Sequence, residues 1–367
     1  MNHWTRAIAI ALALNALAGS CIYAQTQHYM DIRNAGRAEY RAGHFAAAEE
    51  LLRNALIAAS NAHDDAGIGT IQNDFGDVYV GEERLRDAEQ SYVRAMEIFK
   101  KLQGKEFELA ATLRNIGSVY SLQRRDDDAL KILNQASKLP IFRNPAKDPR
   151  LPSLTAEILN SKGIVLVRQG SLGKARTLFE EAIRTRSAAG IDGGVGDAQT
   201  WSNIGTIYLK QKRYALAEQP LLRSIEITER ILGPSHPDLV LTLANLGEVY
   251  TQIGRYAEAM NQYDRCLAIL RNSKPTLDGR IARILQLVST THLKQGDKAS
   301  AEKALADAVD LARHTSVIDD PSVPDMFDGY ANLLKQVGKT EQARQIHAEA
   351  QRMRAALALT VRVPVKE

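Results

Sequence analysis

The chain has 367 residues, 47 Lys+Arg against 43 Asp+Glu for a net charge of +4, with 11 Pro, 2 Cys and 6% aromatic residues. Such a balance, with no basic run or aromatic-basic platform, excludes a nucleic-acid partner, and two cysteines exclude a disulfide framework. Few aromatics argue against a β-rich fold, and the length exceeds one compact core, which leaves a soluble, helical, modular chain as the expectation.

The first two dozen residues differ from the rest. Arg6 precedes the apolar run Ala7–Ala18, which has signal-peptide length and is too short to span a bilayer comfortably. Ala16-Leu17-Ala18 and Ile22-Tyr23-Ala24 offer small-x-small cleavage sites. Residues 1–24 therefore read as a secretory signal and the mature chain as exported, to the periplasm in a bacterium. A retained N-terminal anchor is the competing reading. Leu17-Ala18-Gly19-Ser20-Cys21 resembles a loose lipobox, which would end the signal at Ser20 and lipidate Cys21; only then is a membrane contact expected. Cys266 alone survives cleavage after Ala24. It stands in a column of small residues and reads as a buried alanine substitute.

From Tyr29 onward the sequence repeats itself. Gly36, Gly76, Gly117, Gly163, Gly205, Gly247, Ser289 and Ala331 mark one column; the last five stand 42 residues apart. A second column is alanine in all eight copies: Ala48, Ala88, Ala129, Ala175, Ala217, Ala259, Ala301 and Ala343. A third is always small: Ala55, Ala95, Ala136, Ala182, Ser224, Cys266, Ala308 and Ala350. Small residues at fixed spacing let two helices approach closely. Large residues between them fill the remaining space: Tyr79, Tyr120, Leu166, Tyr208 and Tyr250 in one column, Leu52, Tyr92, Leu133, Phe179, Leu221, Tyr263 and Leu305 in another. The turn between the helices carries Gly43, Gly170, Gly254, Gly296 and Gly338, where a left-handed backbone suits glycine.

These columns resemble the tetratricopeptide repeat, and the 42-residue period with the linker LGPSHPD at Leu232–Asp238 resembles its kinesin-light-chain-like subgroup. The resemblance implies an all-α fold, a right-handed α-solenoid of about eight helix-turn-helix repeats. Copies one to three occupy 29–138 and copies four to eight 153–354, with a frayed tail at 355–367. The copies at Gly36 and Ala331 are the most divergent, as expected of caps.

Four segments break the rhythm. Asn61-Ala62-His63-Asp64-Asp65 reads as a helix-capping linker rather than a metal site. Residues 139–152 hold four prolines and read as an extended insertion loop, with a hinge or a flap as alternatives. Gly190–Asp197 lacks the Lys-Ser/Thr and the preceding strand of a phosphate loop and reads as a linker. In Ser235-His236-Pro237-Asp238, Ser235 is expected to cap the next helix, with His236 structural. His292 and Leu334 replace the tyrosine column, and His347 falls in the large column as an aromatic substitute.

No zinc motif, nucleophile elbow or Cys-x-x-Cys is present, so neither enzyme, metal nor cofactor is expected. Stacked helix pairs leave a concave surface lined by their first helices. In the repeats that this chain resembles, an asparagine two residues before the glycine anchor faces that groove and bonds a peptide backbone. The matching positions are Asn115, Asn203 and Asn245; the competing reading is that they bond within the helix pair. By spacing, Arg114, Arg168, Ser202, Thr206, Lys210, Glu248 and Gln252 complete the candidate site, with Arg283 among its neighbours. The expected function is an exported scaffold or adaptor of the cell envelope that binds a protein or peptide. A peptide-responsive regulator is the alternative and a hydrolase the remote one.

Overall fold

The computed structural model describes residues 26–144, 148–273, 278–314 and 322–360; the predicted leader, Cys21 included, lies outside them. The described residues form sixteen helices and no strand. They pair in chain order. The first four pairs are α1/α2 (26–41, Phe45–Asn61), α3/α4 (Asp65–Gly81, Leu85–Lys101), α5/α6 (Glu106–Leu122, Asp126–Ser137) and α7/α8 (Leu151–Arg168, Leu172–Ala188). The last four are α9/α10 (Val195–Lys210, Tyr214–Leu232), α11/α12 (Leu239–Gln252, Tyr256–Asn272), α13/α14 (Asp278–Gln295, Lys298–His314) and α15/α16 (Ser322–Gln336, Thr340–Thr360). The eight expected copies are these eight pairs. The chain divides into two compact units between Ile191 and Asp192, after the fourth pair. None of the described helices is long and apolar enough to cross a membrane.

The first six pairs close on a glycine, the last two on Ser289 and Ala331. A Cβ placed on Gly163 would lie 2.4 Å from the Phe179 ring, one on Gly247 2.5 Å from Tyr263, and one on Gly117 2.6 Å from Leu133. The large column of the second helix thus lies directly on the backbone of the first. Both small columns are buried in every copy; all eight alanines of the second column are 0% exposed. The left-handed turn recurs as expected, Gly254 having φ +82° and Gly296 φ +88°. Three copies build the same turn without glycine, at Glu83, Arg124 and Lys212, with φ of 60°, 63° and 57°.

Within each unit the first helices also touch one another, α3 to α5 to α7 and α9 to α11 to α13, whereas the second helices pack on their own partner and on the next first helix. The first-helix side of each unit is therefore its inner face. A first helix is covered from several sides: α11 buries residues all round, from Leu239 to Thr251, while α12 buries one stripe.

Several boundaries depart from expectation. The Pro-rich segment is not extended throughout: Pro140–Arg143 forms one 3-10 turn, and Leu151 and Pro152 already belong to α7, where proline fits the first turn. It lies inside the first unit. Pro220 sits inside α10. Ser235 does not cap α11; Asp238 occupies the cap position, and His236 Nδ1 accepts its backbone N–H at 3.2 Å. The last helix runs on to Thr360, so much of the expected tail is helical.

Two outcomes follow. Gly163→Ala is expected to destabilise the protein by about 1–3 kcal/mol through overpacking. Adding Phe179→Leu should recover part of that loss, since copy seven already pairs Ser289 with Leu305; urea midpoints of both singles and the double measure the coupling. Lys212→Gly should stabilise, because the left-handed strain of roughly 1–2 kcal/mol exceeds the roughly 0.5–1 kcal/mol of extra entropy that glycine loses. A lower urea midpoint for this variant would contradict it.

Candidate functional site

The ten candidate residues fall on both units and are taken unit by unit. Arg114, Asn115 and Arg168 lie in the first. Its inner face is crowded with charge. Arg33 on α1 pairs with Asp74 on α3, with Arg37 3.7 Å from the same carboxylate. Arg114 on α5 pairs with Glu157 on α7 at 2.8 Å, while its Nε is buried without a partner among the described residues. Arg168 on α7 pairs with Asp126 and donates to Ser121 Oγ at 2.6 Å. These arginines tie one repeat to the next. Asn115 is half-buried and makes no side-chain hydrogen bond to a described residue.

Two carboxylates lie deep in this face. Burial raises the pKa of Asp77, opposed by the hydrogen bond from Tyr92 and raised further by neighbouring Asp74. Burial likewise raises that of Asp74, against the pull of Arg33.

The other seven candidates lie in the second unit, on α9 and α11. Ser202 is 7% exposed and shares a hydrogen bond with Thr242 at 2.9 Å. It therefore joins two first helices rather than facing open groove. Thr206 donates to the Ser202 carbonyl at 2.8 Å and accepts from Asn245 Nδ2 at 2.9 Å. Asn245 thus binds across the repeat boundary, not within its own helix pair, and its amide oxygen remains. Asn203 borders a polar cavity of about 250 Å³ together with Gln199, Ser202 and Thr242.

Lys210, Glu248 and Gln252 make no side-chain hydrogen bond or ion pair to a described residue. Burial raises the Glu248 pKa, and the charges of Arg283 and Lys210 pull it back. Lys210, Glu248 and Arg283, on α9, α11 and α13, thus set alternating charges on three successive first helices.

Spacing alone missed one recurring arrangement. The glutamate after the alanine column of one copy reaches the basic residue that opens the second helix of the next: Glu49 to Arg84 at 3.2 Å, Glu89 to Arg125 at 3.0 Å, Glu218 to Arg255 at 2.7 Å, and Glu302 to Lys339. Three of these arginines lie over the tyrosine column, 4.2 Å above Tyr79, 3.9 Å above Tyr120 and 4.1 Å above Tyr250. Their periodicity was legible, but neither residue is apolar or small, so a search for packing columns passes over them.

The remaining singular residues are structural. Asp64 caps α3 by accepting from Gly67 N at 2.9 Å and also receives the Tyr29 hydroxyl. In the glycine-rich linker, Gly193 N donates to Asp197 Oδ2 at 2.6 Å, so the chain's own carboxylate takes the place an anion would fill. Cys266 is 0% exposed, and burial pushes its thiol up to about 12. His347 does not fill the core as an aromatic substitute: it is exposed and bonds Asp328 at 2.6 Å, while Ile346 turns inward. No further pair among the described residues covers that position. No group of three or more metal-ligating side chains occurs among the described residues.

Comparison with known proteins places these features in context. A tetratricopeptide repeat family model matches residues 23–101, 68–140 and 196–272, and a second model of the same description matches 155–190. The mitochondrial Tetratricopeptide repeat protein 19 homolog of Drosophila melanogaster is 26% identical over 58% of this chain and 58% of its own length. The protein KINESIN LIGHT CHAIN-RELATED 3 of Arabidopsis thaliana is 20% identical over 69% of this chain and 39% of its own length. The chain thus spans less than two thirds of either relative. The apo form of the quorum sensor NprR from B. thuringiensis shares the fold with a TM-score of 0.66 at 15% identity, over 94% of this chain and 96% of that one. The apo form of RapI does so with a TM-score of 0.60 at 16% identity, over 90% and 98%.

The buried carboxylates give a pH test. A folded-state pKa above the unfolded one, about 3.9 for aspartate, means the charged form is disfavoured on folding. The penalty is absent below the unfolded pKa and grows as pH rises through the folded one. Asp77→Asn keeps an acceptor for Tyr92 and removes the charge. It should raise the urea midpoint at pH 7 relative to the parent, and the gain should shrink towards pH 4. An equal gain at both pH values would show that charge burial is not its cause.

Proposed function

This chain belongs to the tetratricopeptide repeat family, and from that premise we propose that it is a scaffold or adaptor that binds a protein or peptide on the inner face of its second unit. One observation carries the reading. On that face Lys210, Glu248 and Gln252 are unpaired among the described residues, whereas the charges of the first unit's inner face are largely spent on one another. Glu248 and Gln252 are partly withdrawn from water, and polar groups so placed without partners favour a ligand that completes them, while Lys210 is exposed and offers its charge. Gln252 and the free oxygen of Asn245 suit a peptide backbone, which offers both donors and acceptors. The alternation of Lys210, Glu248 and Arg283 suits a segment of mixed charge, since a uniformly acidic or basic one would meet a like charge.

The reading is binding rather than catalysis: among the described residues no serine or cysteine is hydrogen-bonded to a histidine. The leader read at residues 1–24, with its small-residue cleavage sites, supports an exported protein of a bacterial envelope, anchored to a membrane if Cys21 is lipidated. A second reading, a peptide-responsive regulator, draws on the fold shared with a quorum sensor. Binding that changes the radius of gyration in solution scattering favours it; binding without such a change favours the scaffold.

The test is a pull-down from envelope extract with the mature protein, read by mass spectrometry. The triple variant Lys210→Ala, Glu248→Ala, Gln252→Ala should lose the partner while keeping its circular dichroism. Arg37→Ala, on the first unit's inner face, should keep it. A partner held equally by the triple variant would move the interface off the second unit's inner face.

A further inference from the structure

The second helix of the third pair is cut short. α6 has 12 residues where α2, α4 and α8 each have 17, a loss of about 7.5 Å of helix at 1.5 Å per residue. In α4 that final stretch carries Phe99, 2% exposed. Its counterpart 41 residues on is Pro140, where the chain leaves the helix for the turn Pro140–Arg143. Beside the shortened helix lies a cavity of about 520 Å³, walled by Phe142, Pro152, Ile158, Leu159 and Ala188, with Ser137 at one corner.

The lining is mostly apolar, with Thr155 and Thr185 adding hydroxyls beside that of Ser137; Lys162 is not itself part of the lining but bonds Ser137 at its edge. Ser137 Oγ donates to the Asn134 carbonyl at 3.1 Å and accepts from Lys162 Nζ at 2.8 Å. Lys162 follows Ile158 and Leu159 by one turn on the same side of α7. Its ammonium has three donors, uses one on Ser137, and forms no ion pair with a described residue. Burial holds its pKa below the ordinary lysine value, with Glu181 opposing. A half-buried ammonium short of acceptors, set against the Ser137 edge of a mostly apolar slot, is complementary to one kind of small molecule.

We propose that this cavity binds a free aliphatic monocarboxylic acid, its chain against Phe142, Ile158 and Leu159 and its carboxylate on Lys162. The volume lies within the ~300–1,000 Å³ common for small-molecule sites. The carboxylate supplies the charge-assisted hydrogen bonds that the ammonium lacks. The site belongs to the first unit and stands independently of the peptide face assigned to the second.

Calorimetric titration of the whole protein with decanoate and with decanol, each as monomer, tests the assignment. Lys162→Met removes the charge, and Ala188→Trp, at an exposed position on the cavity mouth, plugs the slot; circular dichroism checks both. Decanoate is expected to bind the parent, to weaken at least about tenfold in Lys162→Met while decanol does not, and to be lost with decanol in Ala188→Trp. Absence of decanoate binding to the parent overturns the proposal. So does binding that Ala188→Trp leaves intact, which keeps the test decisive if Lys162→Met fails to fold. Equal decanoate affinity in parent and Lys162→Met removes the carboxylate from the assignment and overturns it as stated.

Discussion

The contact on which the rest depends is a large side chain of a second helix lying on the bare backbone of its first helix. Where Phe179 meets Gly163 and Tyr263 meets Gly247, even a methyl group would sit well inside van der Waals contact. That approach draws the two axes together, and the alanine columns keep the rest of the interface equally thin. A thin pair leaves much of its apolar surface uncovered, and only stacking on the next pair removes that surface from water. Repetition is therefore a consequence of the local contact.

Stacking raises a second question, how one pair finds its register on the next. Apolar surfaces slide; directional groups do not. The ties from Glu49 to Arg84, Glu89 to Arg125 and Glu218 to Arg255 recur at the same place in successive copies, each over a tyrosine. Exposed ion pairs contribute about 0–1 kcal/mol each, too little to hold the stack but enough, with a fixed ring beneath, to favour one alignment. On the inner side, Asn245 to Thr206 and Ser202 to Thr242 serve the same end with neutral groups. Residues that look like ligand contacts on one helix can be claimed by the neighbouring one, and the two units differ in how far this has gone.

The same logic explains where the fold departs from regularity. A proline at position 140 shortens one helix, and the cost is an apolar slot beside it. Elsewhere the repeat absorbs awkward residues. Lys212 adopts the left-handed turn that glycine takes in other copies, and Pro220 sits within α10. Neither changes the pairing, because many small contacts along each helix set it.

The sequence alone determined the number of pairs, the small columns, the large columns short of His347, the left-handed turns at the five glycines and the burial of Cys266. All of these follow from short-range spacing that repeats eight times. Only the tertiary structure decided which polar residues stay available. Asn115, Asn203 and Asn245 occupy one column, yet Asn245 is taken by Thr206 and Asn115 by no described residue, because the partner comes from the adjacent repeat, some forty residues away. Arg114 and Arg168 read as groove contacts until Glu157 and Asp126 come beside them. Helix spacing is written locally in the chain; the pairing of charges across a stack depends on which copies become neighbours, and that is settled only when the helices pack.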